Sequence, residues 1–259
     1  MTRPVIATID IETSPYHVFT WGLWQQNVGL DQITEDRTII SVGYKPLGRA
    51  IEFRSTGGRG PGNVRDDRAL CEWLAEKLNS TDIVIAQNGD DFDVRVINAR
   101  LIQHGIPPYS PIRVVDTKKV AKKVAAFASN RLDWLDRVVN GAEGKDRHPE
   151  FDGQKLWNEC LKDNPKAWKV MERYNKQDVI KTEKLYLKLR PWIEHHPNVS
   201  VYTGAKESCP NCGSTDLEKR GVQYTQASAY QQYHCRNCGK WPRGKIMLSN
   251  LAERRGRLT

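Results

Sequence analysis

Residues Val5 to Glu12, VIATIDIE, form an apolar run that ends in two carboxylates. A run of this kind makes a buried strand, and alternate residues of a strand face the same way. Asp10 and Glu12 are therefore delivered to one side of the strand's far end. Two like charges held that close need a counter-charge, and a divalent cation is the usual one. A D-x-E pair also occurs on exposed strand ends, so its meaning rests on the rest of the chain.

Ile39–Tyr44 and Ile51–Ser55 read as the second and third strands of a meander that starts with the D-x-E strand. The glycine-rich stretch Gly57–Asn63 is a connector. Apolar residues Ala69, Leu70, Trp73, Leu74 and Leu78 recur at helical spacing within Arg65–Leu78. A buried strand, Ile83–Ala86, follows, then a helix over Phe92–Gly105 and a strand over Ile112–Asp116. Helices are expected over Lys118–Phe127 and Leu132–Val139, a loop over Asn140–Gly153, and a long helix that begins after Pro165 and runs past Tyr186 until Pro191 ends or bends it. Strands in a row, then strands alternating with helices, predict an α/β fold, a mixed sheet flanked by helices. Near Thr203 the periodicity gives way to cysteine pairs, polar turns and a basic tail.

More acids gather downstream. Ile83–Ala86 leads into Asp90, Asp91 and Asp93 at a strand-to-helix junction, where ligands collect in open α/β sheets. Asp90 and Asp91 are expected to cap the helix or face solvent rather than join the acidic group. In the long helix Tyr174 and Asp178 stand at i and i+4 and share a face, which is a solvated face or the place where a carboxylate holds a metal beside a water-positioning phenol. Asp116 ends a buried strand and is expected to be a structural cap rather than a supporting acid.

Cys209 and Cys212, then Cys235 and Cys238, form two C-x2-C turns separated by 22 residues. Two such turns complete a closed tetrahedral zinc site, whose saturated metal is structural; two disulfides or a redox pair are the alternative. Cys71 and Cys160 lie in expected helices and read as ordinary buried thiols. Around the knuckles stand Tyr224, Tyr230, Tyr233, His234, Arg236, Lys240, Trp241, Arg243 and Lys245, a mixture that either stacks bases and neutralises phosphates or covers a very small core. Arg254, Arg255 and Arg257 belong to a basic arm.

The chain has 259 residues and a net charge of +9. That balance favours an anionic partner, nucleic acid before an acidic membrane surface. No apolar stretch approaches the ~20 residues of a membrane helix, and the N-terminus lacks a signal peptide's apolar core, so a cytoplasmic protein is expected.

Asp10-Ile11-Glu12-Thr13, the N-x-x-x-F-D run of Asn88, Phe92 and Asp93, and the Y-x-x-x-D of Tyr174 and Asp178 together resemble, in order and spacing, the three motifs of the DEDD exonuclease superfamily, which is RNase H-like (DnaQ-like) in fold. Tyr174 makes the resemblance one to the DEDDy type, similar to the proofreading domain of family B DNA polymerases. The DEDDh type carries a histidine five residues before the last aspartate, where Arg173 stands here. The likeness spans about residues 5 to 190, and the cysteine segment resembles a zinc ribbon. It implies an RNase H-like exonuclease domain over residues 1–202, a zinc ribbon over 203–245 and a basic tail over 246–259.

The resemblance further implies removal of nucleotides from a 3′ end as nucleoside 5′-monophosphates, from DNA as first candidate and RNA as second. Asp10, Glu12, Asp93 and Asp178 would hold two Mg²⁺ or Mn²⁺ ions, one generating hydroxide and one stabilising the leaving oxygen. Tyr174 would orient the attacking water, since a phenol of ordinary pKa is protonated at neutral pH. Glu12 could also accept a bond from the terminal 3′ hydroxyl. Asn88 and Phe92 would shape the pocket for the last nucleotide, with core packing an equal role for Phe92, and Arg236 and Trp241 would contact substrate. Such a stand-alone nuclease suits a bacterium or a bacteriophage, in replication or repair. A nucleic-acid-binding adaptor with little turnover, and a structure-specific endonuclease on the same fold, are the rival readings.

Overall fold

A computed structural model describes residues 3–58, 62–142 and 150–249 of the chain. It divides into two compact units, Val5–Leu185 and a second built mainly on the chain from Tyr186 onward.

The larger unit is organised on β1 (Ile6–Thr13). Ala7, Ile9 and Ile11 enter the main core, and the alternation of a strand puts Thr8, Asp10 and Glu12 on the other face. A small antiparallel pair follows, β2 (His17–Val18) and β3 (Ile33–Glu35); strands this short show no period in a sequence. Next, β4 (Ile39–Pro46) and β5 (Glu52–Ser55) complete the expected meander, each antiparallel to its predecessor in the sheet.

Helix α1 (Arg68–Asn79) leads to β6 (Ile83–Ala86), and α2 (Asp93–His104) to β7 (Arg113–Asp116). Both of these strands pair in parallel, β6 with β1 and β7 with β6. The sheet order is β5-β4-β1-β6-β7, so β1 lies at its centre. All four residues of β6 are buried, as a parallel strand covered on both faces requires. Helix α1 starts later than its apolar spacing suggests, because Asn63 to Asp66 form a turn closed by the Asp66 N–H on the Asn63 carbonyl at 2.9 Å. Asp67, fully buried before α1, is held by Arg100 at 2.6 Å and His104 at 2.6 Å and accepts the Ile39 N–H at 2.8 Å.

Among the described residues this unit also holds α3 (Thr117–Val124), α4 (Leu132–Leu135), which continues as a π turn over Asp136–Asn140, α5 (Lys155–Leu161) and α6 (Pro165–Leu189). α6 matches the long helix expected, with Pro165 at its first position. Helix α5 has only two turns and left no periodic signature. It packs Leu156 and Cys160 with Ala167, Trp168, Val170 and Met171 of α6 and Ile40 of β4 in a second core. Asp116 caps α3, accepting from the N–H groups of Lys118 and Lys119 at 2.9 and 3.1 Å, the structural role expected of it. Cys71 and Cys160 are buried thiols, each pushed to about 12 chiefly by desolvation.

In the second unit the Tyr186 hydroxyl meets His196 Nε2 at 2.8 Å with the two rings stacked. A short helix, α7 (Val199–Thr203), precedes a three-stranded antiparallel sheet of β8 (Leu217–Tyr224), β9 (Ala229–Cys235) and β10 (Arg243–Met247), in the order β10-β9-β8. β8 and β9 run between the two cysteine knuckles, and β9 ends on Cys235. Asn211 donates to the Arg190 and Ile193 carbonyls at 2.7 and 3.0 Å. This compact unit therefore begins at Tyr186, ahead of the composition change near Thr203. The basic arm with Arg254, Arg255 and Arg257 lies outside the described residues, as do 59–61 of the glycine-rich connector and 143–149 of the expected loop.

Candidate active site

The central strand and the long helix assemble the acidic cluster. β1 presents Asp10 and Glu12 toward α6, and α6 contributes Asp178 one turn after Tyr174. The three carboxylates each offer an oxygen, all within 4.8 Å of one another. Close approach of helix and sheet is secured by Gly43, which pairs with Asp10 across β1 and β4. A Cβ there would lie 2.6 Å from Val179 Cγ2 and 3.0 Å from Asn175 Oδ1.

Asp93, the first residue of α2, is buried and stands outside that three-carboxylate group. Its Oδ1 accepts the N–H of Ile11, the residue between Asp10 and Glu12, at 3.2 Å. It thus lies against the same strand end, and its charge acts on both of the β1 acids.

The electrostatics follow from crowding acids in a partly buried place. Asp10 is raised well above the usual carboxylate range, first by desolvation and then by Glu12, Asp93 and Asp178, with the Asn175 amide opposing. Glu12 is pushed to about 8 by desolvation and by Asp178, against a hydrogen bond from Trp157. Asp93 is pushed to about 7 by desolvation, against the N–H groups bonded to it. Desolvation and the charges of Asp178, Glu12 and Asp10 raise the Tyr174 phenol, which also bonds Asp178 and stays protonated at any physiological pH. Oxygen-only donors that resist ionising next to one another suit a hard divalent cation such as Mg²⁺ or Mn²⁺.

Three supporting residues carry no sequence motif. Asn175 Nδ2 donates to Asp10 Oδ2 at 2.6 Å and to the Asp10 carbonyl at 3.1 Å. Trp157 of α5 donates its indole N–H to Glu12 Oε2 at 3.2 Å and meets the Tyr174 ring edge-on at 5.9 Å. Lys181 Nζ lies 3.3 Å from Asp178 Oδ1. Asn175 is one of the unspecified positions inside the Y-x-x-x-D motif and Lys181 stands three residues beyond it, so only that proximity pointed to them; Trp157 is far off in sequence.

Beside the acids opens a cleft of about 400 Å³ lined by Asn88, Lys118, Arg131, Tyr174, Asp178 and Lys181 among others. Asn88 adopts a left-handed backbone with φ 68, which asparagine tolerates. Its N–H bonds Asp116 at 3.1 Å and its Oδ1 accepts from Lys118 at 3.0 Å. Phe92 packs against the main core, with the Arg37 guanidinium 5.5 Å from its ring. Asp90 and Asp91 take up neither cap nor cluster and pair with Lys119 at 3.2 and 3.1 Å.

In the second unit the four expected cysteines converge, Cys209 Sγ lying 3.6 Å from Cys238 Sγ and Cys212 Sγ 3.6 Å from Cys235 Sγ. A tetrahedron with Zn–S bonds of about 2.3 Å has edges of about 3.8 Å, so the spacing fits zinc and is too long for disulfides. The knuckles are alike: Gly213 and Gly239 each adopt positive φ and donate to the first cysteine's carbonyl at 2.8 Å. This four-cysteine arrangement fits a zinc ribbon. Arg236 pairs with Glu218 at 3.5 Å, and the half-exposed Trp241 lies 4.7 Å from His234, ring to ring.

Comparison with solved structures finds the family B DNA polymerase from the hyperthermophilic archaeon Pyrobaculum calidifontis, with a TM-score of 0.54 and 14% identity, covering 89% of this chain. The match covers 32% of the polymerase, so the chain spans about a third of its length. No curated protein sequence matches the chain. A family profile described as RNase H superfamily matches residues 27–190, which contain the mixed sheet from β4 onward and both Asp93 and Asp178. With well over half of its residues inside that match, the chain belongs to the RNase H superfamily.

Proposed function

We propose that this chain is a metal-dependent 3′-5′ exonuclease of the DEDDy type, hydrolysing DNA, with RNA as the other candidate, to nucleoside 5′-monophosphates. Membership of the RNase H superfamily supports a nuclease. The observation that carries the reading is the meeting of Asp10, Glu12 and Asp178 oxygens within 4.8 Å beside Tyr174. Two divalent cations held by Asp10, Glu12, Asp93 and Asp178 would supply a water of lowered pKa and neutralise charge at the leaving oxygen.

The chain's own groups do the rest. Tyr174, protonated and joined to Asp178, orients the attacking water by hydrogen bond. Asn175 fixes the Asp10 carboxylate, and Trp157 fixes Glu12. Lys118, Arg131 and Lys181 bring positive charge to the cleft, where the scissile phosphate and its neighbours would lie. Asn88 and Phe92 border the last nucleotide. In the second unit a structural zinc on Cys209, Cys212, Cys235 and Cys238 holds a ribbon whose Arg236 and Trp241 contact the strand. The functional division is an exonuclease domain over 1–202, a ribbon over 203–245 and a basic tail over 246–259. Among the described residues no helix is long and apolar enough to cross a membrane.

The test is incubation of the purified chain and its Asp10→Ala variant with 5′-labelled single-stranded DNA and RNA in Mg²⁺, Mn²⁺ or EDTA. Shortening from the 3′ end that disappears in EDTA and in the variant supports the assignment. Binding without cleavage in every metal would replace it with the adaptor reading.

A further inference from the structure

Between β2 and β3 the chain exposes a dense run of large apolar side chains. Phe19 is 76% exposed, Trp21 100%, Leu23 89% and Trp24 84%. Single exposed hydrophobic residues are ordinary, but so many together mark a surface that meets something.

The segment is built rather than slack. The Phe19 N–H donates to the Gln32 carbonyl at 3.0 Å, and Gln32 Nε2 returns a bond to the Phe19 carbonyl at 2.8 Å. Gln26 Nε2 donates to the Trp24 carbonyl at 2.8 Å, and Thr20 Oγ1 to the Gly22 carbonyl at 2.9 Å. At the base, Arg65 reaches Glu35 at 2.7 Å and Ser14 Oγ at 3.1 Å.

This loop follows β2, which begins four residues after β1 ends at Thr13. Where the chain returns, the Arg37 guanidinium lies 4.8 Å from the Tyr16 ring and 5.5 Å from the Phe92 ring, and Phe92 directly precedes Asp93. The base of the hairpin that carries the exposed rings thus lies beside Phe92, next in the chain to Asp93. The rings are indoles, which offer flat faces, and the amides of Gln25, Gln26 and Asn27 follow them in the chain. The cleft next to the acids is lined by Lys118, Arg131 and Lys181, suited to phosphates.

We propose that Trp21 and Trp24 form a stacking platform for unpaired nucleobases of the strand whose end enters the acidic cleft, which makes single-stranded nucleic acid the substrate class. The proposal rests on the nuclease reading. Every base has a π-face, so the platform is tolerant of sequence, and stacking of this kind loses about 5- to 150-fold in affinity per base when the aromatic side chain is removed. An apolar protein face is the competing occupant; the indoles, the amides that follow them and the hairpin base beside Phe92 and Asp93 favour bases.

The experiment measures binding, by fluorescence anisotropy in EDTA, of a duplex with a labelled 3′ single-stranded tail. Wild type is compared with the Trp21→Ala/Trp24→Ala double variant, on a normal tail and on one with abasic positions. Both substituted side chains are exposed, and an unchanged melting temperature checks the fold. The expected result is a loss of about 10-fold or more for the variant on the normal tail, a similar loss for wild type on the abasic tail, and little further loss when the two are combined. Equal affinity of variant and wild type on the normal tail overturns the proposal, as does an undiminished loss on the abasic tail. Loss of self-association in sedimentation with oligonucleotide affinity retained also overturns it, in favour of a protein contact. Turnover of the same substrate in Mn²⁺ separates the two readings. Wild type and variant that cleave and bind alike remove the platform and leave the nuclease, whereas a wild type that never cleaves removes the nuclease.

Discussion

Asn175 donates its side-chain amide to Asp10 twice over, to the carboxylate at 2.6 Å and to the main-chain carbonyl at 3.1 Å. One residue of α6 therefore fixes both the side chain and the backbone of the central strand's first acid. Asn175→Ala is expected to cost about 1–3 kcal/mol of stability and to lower turnover about 10- to 100-fold, as loss of a ligand-orienting partner does. Asn175→Asp should be worse, because it sets an acceptor against an acceptor. Thermal denaturation and single-turnover cleavage check both.

At Gly43 α6 packs directly on the sheet. Since a Cβ would lie 2.6 Å from Val179 Cγ2, Gly43→Ala must push α6 outward or distort β4. A destabilisation of about 1–3 kcal/mol is expected, with a turnover loss in excess of the unfolded fraction because Tyr174 and Asp178 ride on the same helix. Denaturant titration beside cleavage assays separates the two effects.

Buried Asp67 tests the fold independently of the site. Desolvation alone would raise its pKa, but the bonds from Arg100, His104 and the Ile39 N–H hold it below the usual value. Arg100→Met leaves this carboxylate without its guanidinium partner and should cost about 3–5 kcal/mol at neutral pH. The loss should be smaller in acid, where the carboxyl can protonate. Urea denaturation at two pH values measures it.

The acids give the metal-free protein a definite pH dependence. Glu12 and Asp93 have folded-state values raised to about 8 and about 7, above those of the unfolded chain. Their contribution to stability is thus fully present below the unfolded values and is lost as pH rises through the folded ones. In EDTA the melting temperature should carry a downward component between about pH 5 and pH 8, reduced in Glu12→Gln, and Mn²⁺ should stabilise most at the alkaline end. A melting temperature whose pH slope is the same in Glu12→Gln would contradict this.

Zinc should be recoverable from the purified chain at one equivalent by metal analysis. Cys209→Ser/Cys212→Ser is expected to lose it, to unfold the ribbon and to weaken oligonucleotide binding while some cleavage persists. Retention of one equivalent in that variant would rule out the four-cysteine site.

Much of this was legible in the sequence because period and spacing are local. The alternation of VIATIDIE told which residues of β1 share a face, i and i+4 put Tyr174 with Asp178, and two C-x2-C turns announced their convergence. The residues that escaped act through long-range contact or sit in short elements. Trp157 reaches Glu12 from a two-turn helix that carries no periodic signal. The β2 and β3 strands are too short to alternate, so the Trp21 loop between them looked like any connector. Asn175 was hidden by its company, since an asparagine inside a helical pattern says nothing of the strand it meets. The division at Tyr186 depends on the Tyr186–His196 and Asn211 contacts, whereas composition changes only later.

The most direct test of the central claim is digestion of one sequence as a 5′-labelled linear strand and as a closed single-stranded circle, in Mn²⁺. A 3′-5′ exonuclease gives a ladder that shortens from the 3′ end on the linear strand and leaves the circle intact, and Asp178→Ala leaves both substrates uncut. Linearised circle, or undiminished cleavage by Asp178→Ala, would contradict the claim.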